Sequence, residues 1–286
     1  MADKVLKVLE GPTAVGKTAL AIQWAKRYGT EIVSADSRQF YRELNLGVAR
    51  PSDAELAEVP HHVIACKSVE EYYSVSRYEE EALALLERLF ARYDTVVMAG
   101  GSGLYVNAVC HGIDELPDPS PALRQELKDL LQEKGIGYLQ ERLKELDPVF
   151  YEKIDLQNSV RLRRALEVCL TTGKPYSSLR TNPRKQRPFI IERYVLDRPK
   201  EELYHRINLR VDLMMQSGLL DEAKALYPHR ALNALQTVGY RELFDYFDGK
   251  ISLEQAVTDI KTHTRRYAKR QLTWLRAQEN VAWIEA

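Results

Sequence analysis

The chain has 286 residues, a formal net charge of zero and a hydrophobic content of 45%. This composition is typical of a globular protein of one or two domains, and a neutral chain can hold a polyanion only through a local cationic patch. The cysteines, Cys66, Cys110 and Cys169, are isolated, and no apolar run has the length of a membrane span. We therefore expect a cytoplasmic protein without disulfides, zinc or membrane anchorage.

The first recognisable element is a loop between a strand and a helix near the start of the chain. Val5–Leu9 predicts a buried strand, Ala19–Arg27 predicts an amphipathic helix, and the intervening residues match G-x-x-x-x-G-K-[ST]. In such a loop, backbone N–H groups and the helix N-terminus face a phosphate, while the threonine hydroxyl can hold Mg²⁺. The motif predicts a bound phosphorylated group without specifying ATP. We call it the phosphate loop, and it comprises Gly11, Pro12, Thr13, Ala14, Val15, Gly16, Lys17 and Thr18.

A second predicted strand, 31–35, ends in the polar residues Asp36, Ser37, Arg38 and Gln39. The carboxyl ends of strands in an open α/β sheet line the ligand crevice, so Asp36 is expected to point toward the phosphate loop. Its carboxylate could order Mg²⁺, accept a proton from a nucleophile, or serve only as a helix cap or surface acid. Gln39 offers a donor and an acceptor, the complement of an adenine edge.

The central part of the chain lacks a feature that ATPases usually have. A short strand is predicted at 61–64, where His61 and His62 are interpreted as a structural pair, and a helix at 75–92. The strand predicted at 95–99 then ends in glycines and Ser102, where an ATPase would usually place an acidic residue to organise metal and water. This departure counts against ordinary ATP hydrolysis.

A proline-rich junction at 116–121 marks a predicted domain boundary. Helical patterns follow until a strand at 189–196 returns to the sheet, so we predict a core at 1–116 and 189–286 with a helical insertion at 117–188. Cations cluster in the insertion at Arg161, Arg163 and Arg164, and again along the loop 180–188. The helices predicted in the insertion are 121–133, 136–146 and 159–170.

The carboxyl-terminal part of the core is mostly helical, with a last strand at 281–284. Between Ile260 and Gln278 the final helix contains no acid. Such a face suits contact with phosphates, and Tyr267, Gln271 and Trp274 could stack on or bond to unpaired bases. The alternative is a solvated helix whose aromatic residues enter the core. The cations of this helix are Lys261, Arg265, Arg266, Lys269, Arg270 and Arg276.

Together these motifs resemble those of bacterial tRNA dimethylallyltransferases, in the family's order and across nearly the whole chain. The most specific match is the stretch Thr264–Arg276, and Ser102 stands where threonine is commoner in the family. The other matches are the phosphate loop, Asp36–Gln39 with Tyr41, Gly100–Tyr105, Arg164–Val168 and Val238–Arg241.

The resemblance implies a P-loop NTPase-like α/β fold and the transfer of a five-carbon prenyl group. The donor would be dimethylallyl diphosphate, the acceptor N6 of the adenosine 3′ of the anticodon in tRNA, and diphosphate the product. Lys17, Thr18 with Mg²⁺, and Arg206 would stabilise the leaving group, and Asp36 would accept or orient the N6 proton. The implied contacts with the tRNA anticodon stem-loop are Asp36, Ser37, Arg38, Gln39, Ser102, Arg124, Gln157, Arg161, Gln236, Gly239, Tyr240, Arg241, Arg265, Lys269, Arg270, Gln271, Trp274 and Arg276. We expect a monomer that needs no protein partner.

Three other functions share part of this pattern. A small-molecule or nucleotide kinase would use the same loop, but the missing acidic residue and the basic final helix weigh against it. A prenyltransferase acting on free AMP or ADP would need neither the insertion nor the basic helix. A non-catalytic RNA-binding GTPase-like switch would carry a guanine-specifying N-K-x-D motif, which this sequence lacks.

Overall fold

A computed structural model of the chain describes residues 3–181 and 184–286. The chain forms two compact units, one comprising residues up to His111 and from Gln186 onward, the other Gly112–Lys185. Of the basic loop predicted at 180–188, residues 182 and 183 lie outside the described residues.

The first unit is built on a six-stranded sheet in the order β3-β2-β4-β1-β5-β6, with neighbouring strands parallel. Because the strands are parallel, their carboxyl ends meet at one edge, which brings the loops after β1, β2 and β4 together. The strands are β1 (Val5–Glu10), β2 (Ile32–Ser34), β3 (His61–His62), β4 (Thr95–Gly100), β5 (Ile190–Asp197) and β6 (Val281–Glu285).

Twelve α-helices accompany these strands within the described residues. In chain order they are α1 (Lys17–Tyr28), α2 (Asp53–Glu58), α3 (Val75–Phe90), α4 (Gly103–His111), α5 (Pro121–Leu146), α6 (Pro148–Tyr151), α7 (Ser159–Thr172), α8 (Tyr176–Leu179), α9 (Lys200–Gln216), α10 (Leu219–Leu226), α11 (Tyr240–Phe247) and α12 (Leu253–Arg276).

Alternating side chains of the strands enter two cores on opposite faces of the sheet. Leu6 and Val8 of β1 belong to the cluster that contains residues of α3, α4, α10 and α11. Leu9 of the same strand belongs to the cluster formed with α1 and α9. This period-2 alternation, with helices on both faces, is the arrangement of a doubly covered parallel sheet. The predicted P-loop-type α/β core is confirmed.

The second unit is helical and has its own small core, formed by leucines of α5 and α7 such as Leu139 and Leu162. The two helices predicted at 121–133 and 136–146 occur as the two parts of α5, which meet at a kink at Gly135, whose φ of 75° is not helical. Gly173 ends α7 with φ 67°, a left-handed conformation that glycine adopts without strain.

Most predicted strands and helices occur within a few residues of their expected bounds, but α4 was not predicted. Its sequence is apolar on nearly all sides and begins with glycine, so it shows no helical periodicity. His61 and His62 bond locally to the Val59 carbonyl and to Glu31, as a structural pair should. The three cysteines are unpaired thiols, and no described helix is long and apolar enough to cross a membrane.

Candidate active site

The phosphate loop leaves β1 and enters α1 with Lys17 as the first helical residue. Gly16 has φ 115°, a left-handed value that favours glycine at this turn. The Lys17 ammonium donates to the carbonyl oxygens of Gly11 and Pro12 at 2.9 and 2.8 Å. Burial, together with the nearby Arg210 charge, lowers the pKa of Lys17 from 10.5 to about 8. A buried cation whose charge is costly gains most from an anionic ligand.

Three arginines from the β5–α9 segment surround the outer side of the phosphate loop. Arg198 Nε donates to the Val15 carbonyl at 2.9 Å, and Arg206 Nε donates to the Ala14 carbonyl at 2.8 Å. Arg210 Nη1 donates to Thr13 Oγ1 at 3.4 Å, and burial and the Arg206 charge lower its pKa. Arg198 is also paired with Glu202, whereas the single contacts of Arg206 and Arg210 with the phosphate loop leave further guanidinium N–H groups to meet a phosphate.

The resemblance named Arg206 as a candidate diphosphate contact, and that role stays a prediction; Arg198 and Arg210 were not named. A usable signal was the spacing of Arg206 and Arg210, which places both on one face of a predicted helix.

The residues after β2 turn back toward the same region. The Asp36 carboxylate accepts from the backbone N–H groups of Arg38 and Gln39 at 2.9 and 3.2 Å. Ser102 Oγ, from the loop after β4, accepts from the Ser37 N–H at 2.9 Å. The predicted site residues of these two loops are therefore joined by a direct hydrogen bond.

One cavity of about 780 Å³ is lined by residues of both sets of groups, although Arg198 and Ser102 are not among its lining residues. Its volume lies within the range of ordinary small-molecule sites. The predicted residues that line it include Lys17, Thr18, Asp36, Gln39 and Arg206, together with Arg210. An anion-binding region and a candidate general base thus share one cavity.

Gln39 makes contacts that restrict its predicted role. Its amide nitrogen donates to the carbonyl oxygens of Val48 and Ala49 at 3.3 and 2.9 Å. The donor half of the side chain is therefore used within the protein, and its carbonyl oxygen is the part suited to a substrate.

Tyr240 was expected to contact tRNA, and the structure shows that this is wrong. Its side chain is 0% exposed, and its hydroxyl donates to Glu222 Oε1 at 2.6 Å. The same carboxylate accepts from the N–H groups of Leu46 and Gly47 at 2.8 and 3.0 Å. The ring lies so close to Gly47 that an added Cβ would come within 2.5 Å of it. Tyr240 and Glu222 together hold the segment that binds Gln39.

The neighbours of Tyr240 differ in exposure. Gly239 is buried, and its N–H donates to Glu242 at 2.8 Å, so its backbone is engaged within the protein. Gln236 and Arg241 are exposed, and both stay predicted tRNA contacts.

Helix α12 presents an exposed basic surface, but two of its predicted contacts, Gln271 and Arg265, are not fully exposed. Gln271 is 8% exposed, both ends of its amide bind the protein, and it lines the cavity, so its contact with RNA stays a prediction. Arg265 is half-buried and donates to Asn208 and Thr262 at 2.6 and 3.0 Å. The exposed predicted contacts are Lys269, Arg270, Trp274 and Arg276.

The aromatic residues of α12 lie beside the loop after β4. The indole of Trp274 lies directly against Gly103. Tyr267 is 36% exposed, but burial of its hydroxyl and the nearby Asp36 charge together raise its pKa to about 12, and this hydroxyl bonds to Ser102. Tyr267 also lines the cavity; the sequence pattern named it as a possible stacking residue, but the tRNA contacts implied by the resemblance did not include it.

The predicted contacts of the insertion lie within the helical unit. Gln157 and Arg161 are exposed on either side of Asn158, whose side chain caps α7 at the Arg161 N–H. Arg124 is half-buried and donates to the Pro119 carbonyl at 2.9 Å. All three stay predicted RNA contacts.

The family model described as IPP transferase matches residues 39–278. A tRNA dimethylallyltransferase of Flavobacterium johnsoniae is 51% identical over 99% of this chain and 93% of its own length, and that alignment includes the phosphate loop. The chain belongs to the IPP transferase family. A relative from Christiangramia forsetii with the same name is 47% identical over 100% of this chain and 94% of its own.

Solved structures of IPP transferases have the same fold. A tRNA isopentenylpyrophosphate transferase from Bacillus halodurans has a TM-score of 0.70 and 38% identity, covering 99% of this chain and 90% of that one. A eukaryotic dimethylallyltransferase acting on tRNA has a TM-score of 0.79 and 26% identity, covering 99% and 74%.

Proposed function

We propose that this IPP transferase family member moves a dimethylallyl group from dimethylallyl diphosphate to N6 of the adenosine 3′ of the anticodon in tRNA. The observation that supports this most directly is the shared cavity. It has a cationic phosphate loop in one part and Asp36 in another, with no acidic residue after β4 to position water for hydrolysis. Membership of the family supports the same reaction.

In this reaction the C1–O bond of the donor breaks, and its electron pair leaves with the diphosphate. Lys17, Arg206 and Arg210 stabilise the charge that develops on the leaving oxygens, because positive groups fixed in a buried site need no reorganisation during the step. The backbone N–H groups at the start of α1 supply further donors.

The residues present fit Mg²⁺. The Thr18 hydroxyl and the Asp36 carboxylate line the same cavity, and oxygen ligands completed by substrate phosphates are what this ion prefers. Thr18 would hold the ion, which supplies additional positive charge to the diphosphate when bound.

On the acceptor side, N6 of the adenine forms a bond to C1 and loses a proton. Asp36 either accepts that proton or orders the metal ion. The base must leave the stack of the anticodon loop to reach a buried cavity. Ser102 and the Gln39 carbonyl oxygen are the polar groups proposed to hold it.

The exposed cations of α12, with Gln236, Arg241 and the insertion residues Arg124, Gln157 and Arg161, would bind the RNA backbone and loop. Backbone contacts position an RNA without reading its sequence. We further propose that the enzyme acts as a monomer in the cytoplasm and needs no protein partner.

The test is prenyl transfer from dimethylallyl diphosphate to an anticodon stem-loop, with AMP and ATP as alternative substrates. We expect N6-prenylated RNA and free diphosphate, and no product from a stem-loop with guanosine at the target position. Transfer to AMP alone would favour the free-nucleotide prenyltransferase. Phosphoryl transfer from ATP would favour a kinase.

A further inference from the structure

Gln271 connects two loops of the active site that are far apart in sequence. Its Oε1 accepts from the Thr13 N–H of the phosphate loop at 2.9 Å. Its Nε2 donates to the Gly101 carbonyl, next to Ser102, also at 2.9 Å. One amide of α12 therefore joins the region proposed for the leaving group to the loop proposed for the acceptor base.

The chemistry of this connection requires an amide. The partner on one side is a backbone donor and on the other a backbone acceptor, so the bridging side chain must accept and donate at once. A carboxylate could only accept, and a methionine of similar length could make neither strong bond. The side chain is 8% exposed, so loss of either bond leaves a buried backbone group without its partner.

The approach at the Gly101 side is close. A Cβ built on Gly101 would lie 2.5 Å from Gln271 Nε2, so the absence of a side chain there is what lets the amide reach the backbone. The loop after β4 is then held at a set separation from the phosphate loop.

We propose that Gln271 is a positioning residue that sets the gap between the prenyl donor and the adenine acceptor. This inference rests on the proposed function. If the gap is correct, C1 of the donor meets N6 as the C1–O bond breaks. If it widens, water can attack C1 instead, giving a five-carbon alcohol, diphosphate and a proton. Reaction rates depend steeply on this alignment, since a displacement of about 1 Å can cost about 10²-fold.

The experiment measures how the donor is partitioned. Gln271→Met and the wild type are incubated with labelled dimethylallyl diphosphate and the anticodon stem-loop, and prenylated RNA and five-carbon alcohol are quantified in the same reaction. Gln271→Asn is a second variant, which keeps a polar amide in the buried site but is one methylene too short to bridge both loops.

Gln278→Met is the matched control. Gln278 follows the end of α12, accepts from Asn107 of α4 at 3.1 Å and donates to the Trp274 carbonyl, and neither of these hydrogen bonds involves the phosphate loop or Gly101. Its loss removes a comparable tie between α12 and α4 but leaves the gap intact.

We expect both Gln271 variants to lower kcat for transfer by about 10-fold to 10²-fold and to raise the ratio of alcohol to prenylated RNA, while the Kd for the stem-loop changes little. Gln278→Met should keep the wild-type ratio. An unchanged ratio in the Gln271 variants would overturn the proposal, as would a loss confined to RNA affinity. If the wild type itself transfers no prenyl group, it is the proposed function that fails.

Discussion

The charge of Lys17 changes with pH near pH 8, because its pKa is about 8. Burial and Arg210 lower its pKa to about 8 from an ordinary value of 10.5, so the free enzyme loses this charge as pH rises through about 8. Since only the ammonium form attracts a diphosphate, kcat/KM for dimethylallyl diphosphate should fall above that pH, well before an exposed lysine would titrate.

Lys17→Ala should raise KM for the donor, lower kcat and abolish this pH dependence, while tRNA affinity stays near the wild-type value. Lys26→Ala is the control, because Lys26 lies on the same helix and pairs at the surface with Glu58 at 2.6 Å. A collapse of tRNA affinity with normal donor kinetics would show that the phosphate loop has another role.

Asp36 offers two separable roles. If it accepts the N6 proton, Asp36→Asn should lower the single-turnover rate by roughly 10²-fold to 10⁴-fold, the usual contribution of a general base. Donor and tRNA affinity should stay within a few-fold. Titrating Mg²⁺ distinguishes the alternative, because a rate restored by excess Mg²⁺ would make Asp36 a metal organiser.

At the scale of elements, α12 combines an inner face that packs on the active-site loops with an outer basic face. Each cation that releases a counterion from RNA contributes about 0.7 to 0.9 to the slope of log K against log[salt]. The double variant of Lys269 and Arg270 to alanine should flatten that slope by roughly twice this amount. Lys261→Ala is the control, since Lys261 forms an ion pair with Asp212 at 2.6 Å. An unchanged slope in the double variant would identify the face as merely solvated.

At the start of α11 we expect substitutions of Tyr240 and Arg241 to have opposite effects, the first on folding stability and the second on tRNA affinity. Tyr240→Phe removes a hydrogen bond to the Glu222 carboxylate and should lower the free energy of unfolding by about 1 to 3 kcal/mol, with little change in tRNA Kd. Arg241→Ala, at an exposed position, should weaken tRNA binding and leave stability almost unchanged. Denaturant unfolding and RNA titration of both variants measure the difference. If Tyr240→Phe and Arg241→Ala lost RNA affinity equally, Tyr240 would contact RNA after all.

At the scale of the whole molecule, the proposed division of labour can be tested by removing the helical unit. The chain leaves the first unit after His111 and returns to it at Gln186. These two points lie close together, as shown by the hydrogen bonds from Arg187 to the carbonyl oxygens of Ala108 and Val109 at 2.8 Å each. Replacing 112–185 by a short glycine-serine linker should preserve the melting-temperature shift produced by a thiodiphosphate analogue of the donor and strongly weaken stem-loop binding. Retained stem-loop affinity would contradict an RNA-binding role for the insertion.

The accuracy of prediction also depends on scale. A few adjacent residues are enough to predict a strand or the phosphate loop, because both have local sequence patterns. The burial of Tyr240 and Gln271 cannot be predicted from adjacent residues, because it depends on Gly47 and on loops that are distant in sequence. Arg198 was missed for the same reason, since only its approach to the Val15 carbonyl gives it a role, whereas Arg210 could have been found from its helical spacing to Arg206.

The contact of Arg187 with the end of α4 also bears on how such a protein can diversify. The guanidinium of Arg187 joins the chain just before residue 112 to the chain just after 185, and a third partner, Glu79 of α3, accepts from it at 2.7 Å. The pairing register of β5 therefore does not depend on the length of the segment 112–185. We expect lineages to lengthen, shorten or exchange that segment, and so to change which RNA is recognised, while the reaction chemistry is inherited unchanged.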